Sequence, residues 1–171
     1  VVKIEPGARS DTDPAATRKI EPFLARYLDD AAFDVRCVHP RRTFWEKAML
    51  LHEELSRQAG LPPKPRLARH YYDLSMLITA GIGEEALADK ALFESVLRHR
   101  RKFFRRSQLI QDAMVPGTFK LTPDADQLPD WQRDYEAMRE VMFYGEEPPQ
   151  FREVLRVVTQ FESKLNSLGV S

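Results

Sequence analysis

The chain has 171 residues, 43% of them hydrophobic, and its 26 basic and 26 acidic side chains cancel. That length fits one domain, or one domain and part of another, and zero net charge excludes a chain that holds nucleic acid by bulk charge alone. A single cysteine, Cys37, excludes an internal disulfide and a cysteine-based zinc site, no apolar run approaches the ~20 residues that span a bilayer, and no signal peptide is visible, so a cytoplasmic protein is expected.

Val1-Val2-Lys3-Ile4-Glu5 reads as a strand stopped by Pro6-Gly7. A solitary terminal strand does not hold itself together, so it is expected to pair with 34–38 or with a sheet preceding Val1 in a longer protein. Residues 10–19 are polar and read as a loop. Pro22 suits the first turn of a short helix that turns Phe23, Tyr27 and Leu28 inward. Asp34 to Val38 alternates and reads as a second strand.

A helix is expected from Thr43, where Thr43-x-x-Glu46 has the spacing of a capping box. Phe44, Ala48, Leu51 and Leu55 form its apolar stripe, and Gly60 and Pro62-Pro63 end it. Pro65 opens a second helix with Leu67, Tyr71, Leu74 and Ile78 inward, closed by Gly81 and Gly83. A third runs from about Glu85 or Asp89 to Arg106, followed by a loop through Pro116, Gly117 and Pro123. A fourth spans about 129–143 on Trp131, Tyr135, Met138 and Met142. A fifth starts at Pro148-Pro149 and keeps Phe151, Leu155, Val158, Phe161, Leu165 and Leu168 in helical register up to Gly169. The fold expected is mainly α (α+β): a helical bundle, residues 42–171, with a small β remnant at its N-terminal end, residues 1–41.

Two segments place a charge among aromatics inside a helical pattern: Arg42-Thr43-Phe44-Trp45-Glu46-Lys47 and Arg69-His70-Tyr71-Tyr72-Asp73-Leu74. Such a charge is costly unless it is paired or used. Lys47, beside Phe44, Ala48 and Leu51, suits a phosphate, since its ammonium is a compact charge with three donors. The plainer alternative is that its stem snorkels along the helix edge. Asp73 stands three and four residues after His70 and Arg69, so a purely structural surface pair explains it equally. The two charges are expected to face each other across a helical hairpin, within about 8 Å. His52 and His70 lack a ligand motif of the H-E-x-x-H kind and read as hydrogen bonders at the core edge.

Residues 98–106 carry six Lys or Arg in nine positions and no acid, while 124–153 carries nine acids against three bases. Neutrality therefore hides a dipolar chain. Arg98, Arg101, Lys102 and Arg105 fall on one helical face and could grip RNA phosphates. Pairing with 124–153 is the equal alternative, and Phe103-Phe104 make too small an anchor for a membrane.

The pair R-T-F-W-E-K and R-H-Y-Y-D-L resembles the C-terminal half of the AbiEii/AbiGii family, nucleotidyltransferase-like toxins of type IV toxin–antitoxin and phage-defence systems. The resemblance covers roughly the first half of the chain. It implies that residues 1–41 end a nucleotidyltransferase core and that a Gly-Ser and an Asp-x-Asp motif precede Val1. Without those motifs this chain alone is expected to be inactive. It implies an enzyme that moves a nucleotide from an NTP to an acceptor such as a tRNA 3′ end. Lys47 would contact the triphosphate, helped by Arg42 and Arg69. Asp73 would either activate the attacking hydroxyl or orient Lys47. Glu5 would stand where such a fold carries a third carboxylate for Mg²⁺. An antitoxin is the implied protein partner. The competing expectation is a helical interaction module that binds RNA or an antitoxin without chemistry.

Overall fold

The computed structural model describes residues 11–28, 31–57, 62–104, 108–142 and 147–167. Two strands, β1 (Ala15–Ile20) and β2 (Phe33–Val38), form an antiparallel ribbon in which Ala15 faces Val38 and Ile20 faces Phe33. Seven helices follow among the described residues: α1 (Pro40–Leu55), α2 (Arg69–Thr79), α3 (Ile82–Ala88), α4 (Lys90–Phe103), α5 (Gln108–Asp112), α6 (Leu128–Met142) and α7 (Phe151–Ser167). The chain is mainly α with an N-terminal β element, as the apolar spacing implied.

The N-terminal elements depart from expectation. The strand expected at 1–5, Glu5 included, lies outside the described residues. The expected loop at 10–19 holds most of β1, whose sequence Ala-Ala-Thr-Arg-Lys-Ile lacks any apolar alternation. Its partner strand supplies the backbone hydrogen bonds, and periodicity alone cannot reveal that. Among the described residues between the strands, Ala25–Tyr27 form a 3-10 turn. Phe23, Tyr27 and Leu28 do not turn inward; Phe23 is fully exposed and the other two more than half exposed.

α1 starts three residues before the expected capping box. Pro40 occupies the first turn, where its missing N–H costs nothing, and His39 caps it by accepting from the Arg41 amide at 3.3 Å. Glu46, freed from capping, accepts from Arg42 one turn back. Phe44, Trp45, Ala48, Met49, Leu51 and Leu55 are all buried. α1 is the hub, packing on α2, α3 and α4, while α7 lies along α2.

Pro65 does not open α2. Arg66 adopts a left-handed φ of 68°, which breaks the helix. The free amides of Arg66 and Ala68 instead donate to the Asp134 carboxylate of α6, at 2.6 and 2.8 Å. Gly81, at φ 79°, ends α2 as expected. Gly83 does not: it lies within α3 and faces Phe161, whose ring would sit 2.7 Å from an added Cβ. Of the two starts expected for the third helix, α4 takes Asp89, whose carboxylate accepts from the Leu92 amide at 3.0 Å, while Glu85 belongs to α3.

The Pro- and Gly-containing loop after α5 is part of the core. Phe119 and Leu121 are buried, and Asn166 of α7 bonds both the N–H and the C=O of Phe119, at 2.9 and 2.8 Å. One aromatic cluster joins Trp45 edge-on to Phe44 and Phe93. A second sets Tyr71 edge-on to Trp131 and Phe151, tying α2 to α6 and α7.

Candidate functional site

The hairpin of α1 and α2 brings Lys47 and Asp73 together. Lys47 Nζ donates to Asp73 Oδ2 at 2.5 Å. His70, one helical turn before Asp73, puts its Nδ1 3.4 Å from the same Nζ and 3.9 Å from Asp73 Oδ2. Lys47 lies two turns into α1, because the helix begins at Pro40, so the macrodipole opposes its charge less than a start at Thr43 would imply. The sequence periodicity explains the meeting: Tyr71 and Leu74 fix the buried face of α2, which leaves His70 and Asp73 on the flank toward α1.

The cluster is half-open. The side chains of His70, Lys47 and Asp73 are 13%, 19% and 35% exposed. Burial, then the charges of Lys47 and Arg69, push the His70 imidazole down to about 4, although Asp73 pulls the other way. His70 is thus neutral near pH 7, and its Nδ1 is an acceptor for the lysine. Arg69, the half-buried first residue of α2, contributes field at this cluster.

Arg42 is engaged elsewhere. Its guanidinium is fully buried, donating to Glu46 Oε1 at 3.0 Å and to the Asp13 carbonyl at 2.6 Å, with the Asp11 carboxylate 3.2 Å away. It clasps the segment leading into β1. The bare Asp-x-Asp spacing occurs twice in the chain, at Asp11-Thr12-Asp13 and at Asp124-Ala125-Asp126, and the carboxylates of the first face Arg42 and Arg36. Among the described residues no three His, Cys, Asp or Glu side chains converge to hold a metal ion. His52 is a core-edge hydrogen bonder, accepting from the Lys120 amide at 2.9 Å, and burial pushes its imidazole down.

The basic run divides by burial. Arg98, Arg101 and Lys102 are exposed; Arg105 lies outside the described residues. Arg101 meets Asp112 at 3.1 Å and the Gln111 carbonyl at 3.1 Å. Lys102 Nζ sits over the Phe103 ring. With Trp45, Phe93, Leu97 and Met114, Arg98 and Arg101 line an open groove of about 1000 Å³. Arg100 turns inward and forms a two-pronged pair with Glu53, both contacts 2.8 Å, and Gln111 donates to the same carboxylate at 3.0 Å. Among the described residues, Arg100 and Arg101 meet Glu53 and Asp112, both outside 124–153. Sequence reasoning missed the buried pair. Its one signal was Glu53, an acid on the flank of the α1 apolar stripe.

A mainly helical domain thus holds a lysine against a carboxylate, both partly exposed, between α1 and α2. The family model described as "Nucleotidyl transferase AbiEii toxin, Type IV TA system" matches residues 1–157, and the chain belongs to that family. No curated protein and no solved structure matches it. Among the described residues no helix is long and apolar enough to cross a membrane.

Proposed function

We propose that the chain carries part of the active site of a toxin that transfers a nucleotide from an NTP to an acceptor hydroxyl, such as that of a tRNA 3′ end. The observation that carries this reading is the Lys47–Asp73 pair, set 2.5 Å apart between α1 and α2 with both side chains partly exposed. An ammonium in a site that is mostly but not fully desolvated binds phosphate oxygens more strongly than one in bulk water. In the transfer, the acceptor hydroxyl gives its proton to Asp73 and attacks the α-phosphorus, the bond to the β-phosphate oxygen breaks, and pyrophosphate leaves. Lys47 neutralises charge on the triphosphate as the leaving group departs. Asp73 orients Lys47 in the free protein and the acceptor hydroxyl in the complex. Mg²⁺ on the triphosphate belongs to the same reading; the described residues do not supply its ligand set, and Glu5 is the one residue of this chain assigned to it. Arg69 adds positive field at this cluster. Arg98, Arg101 and Lys102 present the RNA-binding face, and an antitoxin is the protein partner.

The test is transfer of a labelled nucleotide onto tRNA by the full-length protein. Lys47→Met and Asp73→Asn are each expected to lower kcat/KM about 100-fold or more, the scale for removing a preorganised charge from a reacting centre. Transfer at the wild-type rate by both variants would sink the reading. The interaction-module alternative draws on a specific feature, the exposed Ile20, Phe23, Leu24, Tyr27, Leu28 and Phe33 of the β ribbon. It predicts that partner binding survives in both variants and that no nucleotide is transferred by any form of the protein.

A further inference from the structure

We propose that His70 is a positioning residue for Lys47: its Nδ1 lone pair is an uncharged anchor that keeps the ammonium in place when an incoming phosphate displaces Asp73. The inference rests on the nucleotidyl-transfer reading and deepens it. Lys47 has three N–H donors. One is spent on Asp73 Oδ2 at 2.5 Å and a second reaches His70 Nδ1 at 3.4 Å, which leaves a third for a ligand. A carboxylate that close competes with phosphate for the same charge. Productive binding therefore requires Lys47 to loosen from Asp73, whose Oδ1 makes no hydrogen bond among the described residues.

Once loosened, a lysine on a four-carbon stem regains rotamer freedom, which costs affinity unless something holds it. A second acid would hold it, but would also repel the phosphate. A neutral acceptor holds it without that penalty. His70 meets the requirement by placement: it sits in the first turn of α2, mostly buried, with its amide bonded to the Leu67 carbonyl at 2.9 Å. Lys47 from α1, and Arg69 and Asp73 from its own helix, are the charged groups that face it, and on balance they keep its proton off. The Nε2 nitrogen then carries the hydrogen.

The test uses two substitutions that separate bulk from acceptor. His70→Asn keeps an acceptor oxygen near the Nδ1 position; His70→Phe keeps the ring and loses the acceptor. In nucleotide transfer by the full-length protein, His70→Phe is expected to raise the NTP KM about tenfold with a smaller change in kcat, the low end for a hydrogen bond to a charged group. His70→Asn is expected to stay within about threefold of wild type. An unchanged KM in His70→Phe, or an equal rise in both variants, overturns the proposal. A second measurement avoids catalysis and any misfolding of His70 variants. In ¹⁵N NMR at pH 7, Nδ1 of His70 should be unprotonated, and its signal should move in Lys47→Met. A protonated Nδ1, or a signal indifferent to Lys47→Met, also overturns it. If Lys47→Met leaves transfer intact, the transfer reading fails by itself, and the NMR result decides whether His70 holds Lys47.

Discussion

Acid should destabilise this protein through His70 before most of its carboxylates titrate. The imidazole is held down to about 4, from an ordinary 6.5, by burial first and then by Lys47 and Arg69. A depressed value means that the folded state resists a proton the unfolded state accepts. The contribution is complete above pH 6.5, erodes as pH falls from 6.5 toward 4, and is exhausted below 4. The full span of the shift corresponds to about 3 kcal/mol, and about 2 kcal/mol of it is gone by pH 5. Against a domain stability on the order of 5–15 kcal/mol that loss is easily measured. In melting temperature it corresponds to about 4–8 °C for a chain of this size. His52, also pushed down by burial, adds a loss of the same sign, so wild type alone does not isolate the effect. The comparison is with His70→Asn, which cannot titrate. Urea unfolding at pH 7.5, 6, 5 and 4.5 should show wild type losing about 2 kcal/mol more than the variant between the first and third values. Parallel curves for the two proteins, or an NMR titration that puts His70 near 6.5, would refute the reasoning.

Glu53→Ala should cost about 3–5 kcal/mol, because it strands the buried Arg100 guanidinium without its carboxylate; chemical denaturation reads it. Gly83→Ala should destabilise by about 1–3 kcal/mol despite alanine's higher helix propensity, since its Cβ would meet the Phe161 ring, and a Phe161→Leu background should relieve the clash. Asp134→Ala should cost about 1–2 kcal/mol and fray the start of α2, seen as faster amide exchange at Arg66 and Ala68. In tRNA binding by the full-length protein, Arg98→Ala and Arg101→Ala should each flatten the log–log salt slope by roughly 0.7 where the arginine holds a phosphate of a single-stranded segment; an unchanged slope in the double variant removes this face from the RNA site.

The parts of this fold that were legible in sequence are those where burial repeats at helical spacing. α1, α6 and α7 carry enough apolar residues on one stripe that no other element type fits. The meeting of Lys47 and Asp73 was legible for a related reason. Each charge sat beside residues that had to be buried, and the Gly- and Pro-containing connection implied antiparallel neighbours. What stayed hidden depends on contacts distant in sequence. β1 is defined by its partner strand, not by its own pattern. The start of α2 is set by Asp134, 66 residues beyond Ala68. Two capping patterns overlapped at the start of α1, and the proline at the first turn prevailed over the Thr43–Glu46 spacing. Arg100 was invisible inside a run of like charges, where counting treats every residue as solvated. The exposed aromatics of the ribbon turn defeated the rule that large apolar residues face inward, a rule that holds only where the chain has something to pack against.

Two of the ion pairs on α1, Glu53–Arg100 and Lys47–Asp73, differ in their surroundings. Glu53 and Arg100 are more than nine-tenths buried, the carboxylate is gripped at both oxygens, and Gln111 adds a third donor. A ligand could reach that pair only by exposing the core, at a desolvation cost of several kcal/mol. Its effect is to lock α1 against α4. Lys47 and Asp73 are shorter in contact yet looser in commitment, with one lysine donor and one aspartate oxygen still unused among the described residues and both side chains reached by solvent. Exchanging that carboxylate for a phosphate swaps one anion for another on the same ammonium, so the net cost is small. Of the two pairs, only Lys47–Asp73 can change partners without unfolding its surroundings. The buried pair on the same helix holds α1 against α4 whichever partner Lys47 has.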